Sequence, residues 1–542
     1  MLLAGQRIEL DPKPQVGTPP ALEVVMLGHC PVASTDVNWP RIANDRQLTA
    51  ELHGLGFGIE VRRLRELLTP SADFVELETD DDLKALYKLP LPIRSLAQFK
   101  SIFSGVFDQP YRYGRLAGYG AWLPRAVEDF FGCSDNSGQL KLWIIRVKEA
   151  DGIEAFLPSR YGDLKQRATE TSNATPRPLK LLEIDQLNAF ERALLIQNAA
   201  VIALPDLERL NLPQGLKRIP SVRKSRPLPA FLPCSSDADD LDLINPFRDI
   251  KSNQPRPQAK AVVGAIGQTL AVHRPDMQCL LSLPFADSQD YDFPQLCPEF
   301  SGQLSQLADA AIANPASGDS QRLRHLQFLY PYLIGADNLL TSSCGVVAGM
   351  QAKVAASQGV WRSVAGRRLP VRSLPWPRLD QNEAVRLRTR PGVTVLCNHK
   401  GTAMIDDESL CVPILPSVDL LQLTPSERND SHWRSAEIMR FMGWLRRELQ
   451  AQGNRMIFDT DPRDPRPLMA LREFFQQLHA LGALRGKKAS EAFTIQQRNP
   501  ADNVLQFDIE VAPAFPVDRI RITFLQDRHS GGSIPTMEAA HG

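Results

Sequence analysis

Long hydrophobic runs are missing from this sequence. Its most apolar stretch, Ala193 to Leu204, is interrupted by Gln197 and Asn198 and stops at Pro205, well short of the roughly 20 residues that a membrane-spanning helix needs. Membrane insertion is therefore not expected. Met1 to Arg7 lacks a basic region followed by an apolar run and a small-residue cleavage site, so no secretory signal is read there and assembly in a cytoplasm is expected. Charge of one sign is missing as well: 62 Lys and Arg balance 62 Asp and Glu. The chain as a whole offers no field that would recruit nucleic acid, and a net charge near zero removes one barrier to self-association. The eight cysteines (Cys30, Cys133, Cys234, Cys279, Cys297, Cys344, Cys397 and Cys411) are scattered without a Cys-x-x-Cys pair, which fits reduced thiols better than disulfides or zinc.

Catalytic motifs are absent too. The Gly482-Ala483-Leu484-Arg485-Gly486-Lys487 run is too short for a phosphate-binding GxxxxGK[ST] loop, and no dinucleotide turn, GxSxG elbow, HExxH helix or calcium loop occurs. His29 beside Cys30 suggests a nucleophile pair at first sight, but neighbours on a strand point to opposite faces, which favours a structural role. The acidic runs Asp237, Asp239, Asp240, Asp242 and Asp406, Asp407, Glu408 read as solvated polar loops, because nothing nearby fixes cation coordination and consecutive carboxylates rarely converge on one atom. Lys217, Arg218, Arg223, Lys224 and Arg226 sit in a proline-rich segment and read as solvated. No catalytic residue, metal or cofactor is expected.

What the sequence does contain is α/β patterning over a length that implies roughly two to four domains. An arm to about residue 20 has no core of its own and one short strand candidate, Arg7-Ile8-Glu9-Leu10. A first core segment follows, 21–150, with an apolar strand Leu22 to Leu27, a helix from Ser95, a helix Leu123 to Phe131 and a strand Leu142 to Val147. Segment 151–258 is polar and proline-rich at Thr169 to Pro178 and Ser221 to Lys260 and is expected to hold a surface insertion, although a helix, Leu187 to Gln197, and a strand, Ala200 to Leu204, lie inside it. The regular pattern returns over 259–392.

The last third, 393–525, is the most informative. Val393 to Cys397 reads as a buried strand. Ile438, Met442, Leu445 and Leu449 line one helix face with Gly453 as the stop, and Arg455 to Phe458 reads as a strand. Asp464-Pro465 suits a helix start, and Leu468, Leu471, Phe475 and Leu478 share a face before Gly482. Ala492 to Gln496, the alternating Leu505 to Val511 and the alternating Ile520, Ile522, Phe524 complete a β-α-β-α-β-β-β module, with 526–542 as a tail.

Several phrases in this region are familiar. Trp433-Arg434, Trp444-Leu445-Arg446-Arg447, Ile457-Phe458-Asp459, Gly482-Ala483-Leu484-Arg485-Gly486, Glu491-Ala492-Phe493 and Val511-Ala512-Pro513, in that order and spacing, resemble the C-terminal core of contractile tail sheath proteins. Ser95 to Gly105, the helix ending Phe130-Phe131 and the strand ending Arg146-Val147 resemble the family's N-terminal half. Ser343 to Lys353 followed by Gly359-Val360-Trp361-Arg362 resembles its middle. The chain departs from the family at Thr402 to Glu408, where a Trp-Gly-Ala-Arg-Thr-like phrase is usual, and in its arm, which lacks the usual Pro-Gly-Val-Tyr opening.

The resemblance implies a multi-domain α/β (α+β) sheath-type fold with a mixed-sheet C-terminal module and extended N- and C-terminal arms. It implies a structural subunit without cofactors. Six subunits would form a ring, and rings would stack helically around an inner tube within a phage tail or phage-tail-like injection particle, between baseplate and terminal cap proteins. Assembly would store the work in a metastable extended state and contraction would release it. Arms would lend strands to neighbouring subunits, with Arg7, Ile8, Glu9, Leu10 and Ile520, Ile522, Phe524 as candidates. Arg463, Arg466, Arg485, Lys487 and Lys488 would form a basic patch facing the tube. A baseplate or terminal-ring paralogue with the same fold, and more remotely an α/β enzyme without a standard motif, stay open.

Overall fold

Runs such as Val-Val-Met-Leu, Leu-Trp-Ile-Ile and Ala-Val-Ile-Ala are apolar without alternation, the pattern of strands covered on both faces. In the computed structural model they become the centre of an eight-stranded sheet. The structure describes residues 21–30, 32, 34–69, 80–104, 121–133, 140–158, 184–212, 222–223, 243–244, 259–286, 295–314, 318–335, 340–371, 373–379, 381–390, 392–412, 433–456, 465–501, 504–514, 519–527 and 532–540. The strands of the large sheet are β1 (Glu23–Gly28), β2 (Pro90–Ile93), β3 (Leu142–Arg146), β4 (Ala199–Ala203), β5 (Gln278–Ser282), β6 (Leu326–Tyr330), β7 (Val393–His399) and β8 (Thr402–Ile405). Their spatial order is β8-β7-β6-β5-β4-β1-β3-β2. The six strands from β7 to β3 are parallel neighbours, with registers such as Val24↔Leu142, Ile202↔Cys279 and Phe328↔Val393, and only the two outer strands run antiparallel. Val25, Leu27, Ile145, Ile202, Leu281, Phe328 and Val395 meet in its core.

The chain divides into two compact units. The larger contains Leu22–Lys353 and Ser363–Arg447, including the large sheet; the smaller contains Val354–Arg362 and the residues from Glu448 onward. The helices used below are α1 (Leu123–Gly132), α2 (Pro205–Leu210), α3 (Cys344–Gln358), α4 (Ala436–Met456) and α5 (Arg466–Ala480). In the smaller unit, β9 (Phe493–Ala501), β10 (Val504–Val511), β11 (Arg519–Asp527) and β12 (Gly532–Ala540) form an antiparallel sheet in that order. Phe475 of α5 packs on Phe493 at 5.5 Å between ring centroids.

The fold is thus mixed α/β with both parallel and antiparallel sheets, as the sequence leads one to expect. The strand expected at Ala200 to Leu204, inside segment 151–258, is β4, which sits between β1 and β5 with all five residues buried. Three expectations are corrected. Residues 393–525 are not one module: β7 pairs in parallel with β6 and belongs to the large sheet, whereas β9 to β12 lie in the smaller unit. The helix α4 does not stop at Gly453 but runs to Met456, through the expected strand at Arg455; Gly453 is buried and continues the Leu445, Leu449 stripe, so it serves the packed face instead of ending it. Finally, the tail contains β12. Pro535 interrupts its sequence pattern, but an outer strand tolerates a residue that cannot donate. The arm 1–20, Ile457, Phe458 and Asp464 lie outside the described residues.

Candidate functional site

In a doubly wound sheet, ligands bind beyond the carboxyl ends of the strands where the winding reverses. Here that point lies between β1 and β4, since the chain leaves β1 toward β3 on one side and returns to β4 on the other. One side chain fills it. Asp206, in the first turn of α2, is fully buried. It accepts from the backbone amides of His29 at 2.8 Å, Trp122 at 2.9 Å and Leu123 at 3.0 Å, and from Arg209 Nε at 2.8 Å. A phosphate would seek the N-terminus of a helix such as α1, yet these amides already bind the chain's own carboxylate. Gly28 closes what remains: a Cβ there would meet Asp206 Oδ2 at 2.5 Å and Leu123 Cβ at 2.6 Å.

His29 and Cys30 stand at the same end of β1, and their surroundings suit packing. Arg209 Nη2 approaches His29 Nδ1 to 2.5 Å, which makes that nitrogen the acceptor of a neutral ring. Burial lowers the histidine's pKa, and Arg209 adds to this against the pull of Asp206. Burial pushes the Cys30 thiol up to about 12, where a reactive thiolate is not formed near neutral pH. The seven described cysteines are free, and no group of three or more His, Cys, Asp or Glu among the described residues is placed to hold a metal. No helix among them is long and apolar enough to cross a membrane.

Three of the phrases that carry the family resemblance, at 482–486, 491–493 and 511–513, meet in the smaller unit. Leu484 bridges Pro513, Arg485 N donates to Ala512 O at 2.8 Å, Ala514 N donates to Ala483 O at 2.9 Å, and Ala512 N donates to Ala492 O at 2.8 Å. The turn after α5, the approach to β9 and the exit from β10 are therefore one backbone-bonded junction. Gly482 and Gly486, at φ of 76° and 127°, supply the left-handed turns it needs. In the larger unit, α1 and the start of α3 pack closely. A Cβ on Gly345 would lie 2.5 Å from Ala126 O, one on Gly349 2.6 Å from Phe130 O, and the Cys133 thiol donates to Val346 O at 3.4 Å. The small residues of α3 thus serve close helix packing.

The candidate basic residues do not form one patch. Arg485, Lys487 and Lys488 are exposed together on the turn after α5, where Glu491 Oε2 accepts from Lys487 N at 3.0 Å. That turn is held to the C-terminal end of α5 by a 2.9 Å bond between His479 Nε2 and Gly486 O. Arg466 is exposed at the other end of α5, about 20 Å away at 1.5 Å rise per residue and beyond the roughly 8 Å over which exposed charges interact at physiological salt. Arg463 lies outside the described residues.

The strand candidates also fall differently. Ile520, Ile522 and Phe524 lie on β11, which is paired on both sides: Ile522 opposes Ile509 of β10 and Met537 of β12, and Phe524 opposes Phe507 and Pro535. Its backbone groups are already used within the chain. The outer strands are β9 and β12, each with a proline, Pro500 and Pro535. Arg7, Ile8, Glu9 and Leu10 lie outside the described residues, as do Asp237 to Asp242. Of the second acidic run, Asp406 pairs with Arg388 at 2.7 Å, while Glu408 is buried against Arg440 and is no solvated loop residue.

No protein-family model and no curated protein matches the sequence. Among solved structures, the chain is similar to one from the six-fold symmetrised baseplate of the anti-feeding prophage, with a TM-score of 0.45 and 11% identity over 96% of this chain and 97% of that one. It is similar to one from the contracted sheath complex of an extracellular contractile injection system, PVC (0.44, 10%, 95% and 96%). It is likewise similar to the sheath tail protein of Desulfitobacterium hafniense (0.43, 9%, 96% and 100%). The likeness is to contractile-sheath proteins. At TM-scores below 0.5 and such identities, the functional reading rests on the chain's own sequence and geometry.

Proposed function

We propose that this chain is a structural subunit of a contractile sheath around the inner tube of a phage tail or phage-tail-like injection particle. It assembles in a metastable extended state and contracts to drive the tube through a target envelope. The observation that carries this reading is the junction of 482–486, 491–493 and 511–513: phrases matched to the sheath family by order and spacing alone are bonded to one another in space. A filled switch point gives the alternative reading, an α/β enzyme, no crevice at its usual place.

The partners are further copies in stacked six-membered rings, the tube protein, and baseplate and cap proteins. Arg7 to Leu10 of one subunit adds as a strand to an outer edge of a neighbour's β9–β12 sheet, since β11 is already paired on both sides. Thr494, Gln496 and Arg498 on β9 are exposed, and the first six residues of that strand carry no proline. Each added backbone hydrogen bond contributes about 0.5–1.5 kcal/mol, so a four-residue strand repeated around every ring forms a mesh that holds while subunits rotate. Arg485, Lys487 and Lys488 face the tube. The departure at Thr402 to Glu408, which forms β8 and a buried carboxylate where the family has another phrase, favours a second reading, a specialised ring at the baseplate or terminus. Deleting Gln6 to Leu10 tests strand sharing: the variant should keep a wild-type circular dichroism spectrum yet fail to sediment as polymer. Normal polymer from it refutes the shared strand.

A further inference from the structure

After entering the larger unit at Leu22, the chain passes between its two units three more times: within α3 after Lys353, in the segment after Arg362, and within α4 after Arg447. On the side of the larger unit, one buried carboxylate touches all three passages. Glu408 Oε1 accepts from Gln351 Nε2 at 2.8 Å, just before the first passage. Glu408 Oε2 accepts from Ser363 Oγ at 3.1 Å and from Val364 N at 3.0 Å, immediately after the second. Arg440 of α4, before the third, grips both oxygens, with Nη2 to Oε2 at 3.1 Å and Nη1 to Oε1. Glu408 is 3% exposed and Arg440 2%.

The cluster is tied to the centre of the large sheet. Gln351 Nε2 also donates to Gln327 Oε1 on β6 at 3.1 Å, Gln278 Nε2 on β5 donates to Gln351 Oε1 at 3.3 Å, and Gln327 Nε2 donates to Thr394 Oγ1 on β7 at 2.9 Å. Burial pushes the Glu408 carboxyl up, but Arg440 and the amide donors outweigh burial and hold it ionised, below the ordinary glutamate range. Stability alone is a poor account of such a group, because a buried ion pair often contributes no more than apolar residues of equal volume. Its placement at all three connections is the distinctive fact.

We infer that Glu408 is a positioning residue that gathers the larger unit's ends of these three of the four inter-unit connections onto one carboxylate and anchors them to β5, β6 and β7. A load arriving along any one connection is then shared with the other two and with the middle of the sheet. This inference rests on the division into two units and on the bonds above, and stands independently of the sheath reading.

The test is amide hydrogen exchange read by mass spectrometry on the full chain, wild type against Glu408→Gln. The variant keeps the side chain's shape but removes the charge and turns one acceptor into a donor. Exchange over 344–353, 363–367 and 436–447 should rise at least tenfold together, while β1, β3 and β4 change less than twofold. Unchanged exchange at the three segments, or an equal rise across β1, β3 and β4, overturns the inference, the latter marking ordinary core destabilisation. If Glu408→Gln does not fold, Ser363→Ala, which removes one bond of the cluster, is read in the same way. A roughly threefold rise that also reaches 344–353 and 436–447 supports the shared node. A rise that is absent, confined to 363–367 or spread over β1, β3 and β4 overturns it.

Discussion

Glu208 shows how much of this protein lies in buried charges that look ordinary in sequence. It follows Asp206 in α2, is 1% exposed, and accepts from Ser282 N at 2.8 Å, with a further hydrogen bond to Ser342. Its Oε2 has no partner among the described residues, and burial raises its pKa from 4.5 to about 8. The folded state therefore holds a proton that the unfolded chain releases, so the contribution of this group to stability is greatest below about pH 4.5 and falls as pH rises toward 8. Glu208→Gln should remove this slope. Denaturant unfolding should show the variant about 4 kcal/mol more stable than wild type at pH 8 and nearly equal at pH 4.5; parallel pH profiles would contradict it. Asp206, Glu208 and Glu408 were not legible as core residues, because an acidic residue in a polar stretch reads as solvated until its donors are known. Apart from Arg209, three residues on from Asp206, those donors are amides and side chains tens to hundreds of residues away, and no local spacing announces them. The cysteines were legible: seven are free, and those at 30, 279, 344 and 411 are fully buried with raised pKa values.

Elements were easier to read than their neighbours. Unbroken apolar runs gave β1, β3, β4 and β7, alternation gave β10 and β11, and the Leu471, Phe475, Leu478 face of α5 is buried as its period requires. What periodicity cannot supply is which sheet a strand joins, so the pattern alone groups β7 with the strands of the smaller unit and does not show that β11 is paired on both sides. The glycines of α3 mark a close approach that the structure locates. Gly349→Ala should place a Cβ 2.6 Å from Phe130 O and cost about 2 kcal/mol in chemical denaturation. Gly302→Ala is the control. It lies within the helix Pro298–Ala313 with nothing within 4 Å and should gain a few tenths to about 1 kcal/mol from helix propensity. Equal effects of the two substitutions would show that α1 and α3 are not in close contact.

At the scale of the whole molecule, the two units divide the work that the sheath reading requires. The larger offers a mostly parallel sheet whose usual ligand crevice is packed with its own Asp206, and the smaller offers an antiparallel sheet with two outer strands and an exposed basic turn. The resemblance to sheath proteins lies in the order of the phrases, but the organisation into units was not legible, because the chain re-enters the larger unit between Ser363 and Arg447. The central claim is assembly, and negative-stain electron microscopy of the chain expressed with its tube and baseplate proteins tests it most directly. The account predicts hollow, ridged cylinders of stacked six-membered rings enclosing the tube. A uniform field of monomers under those conditions would contradict it.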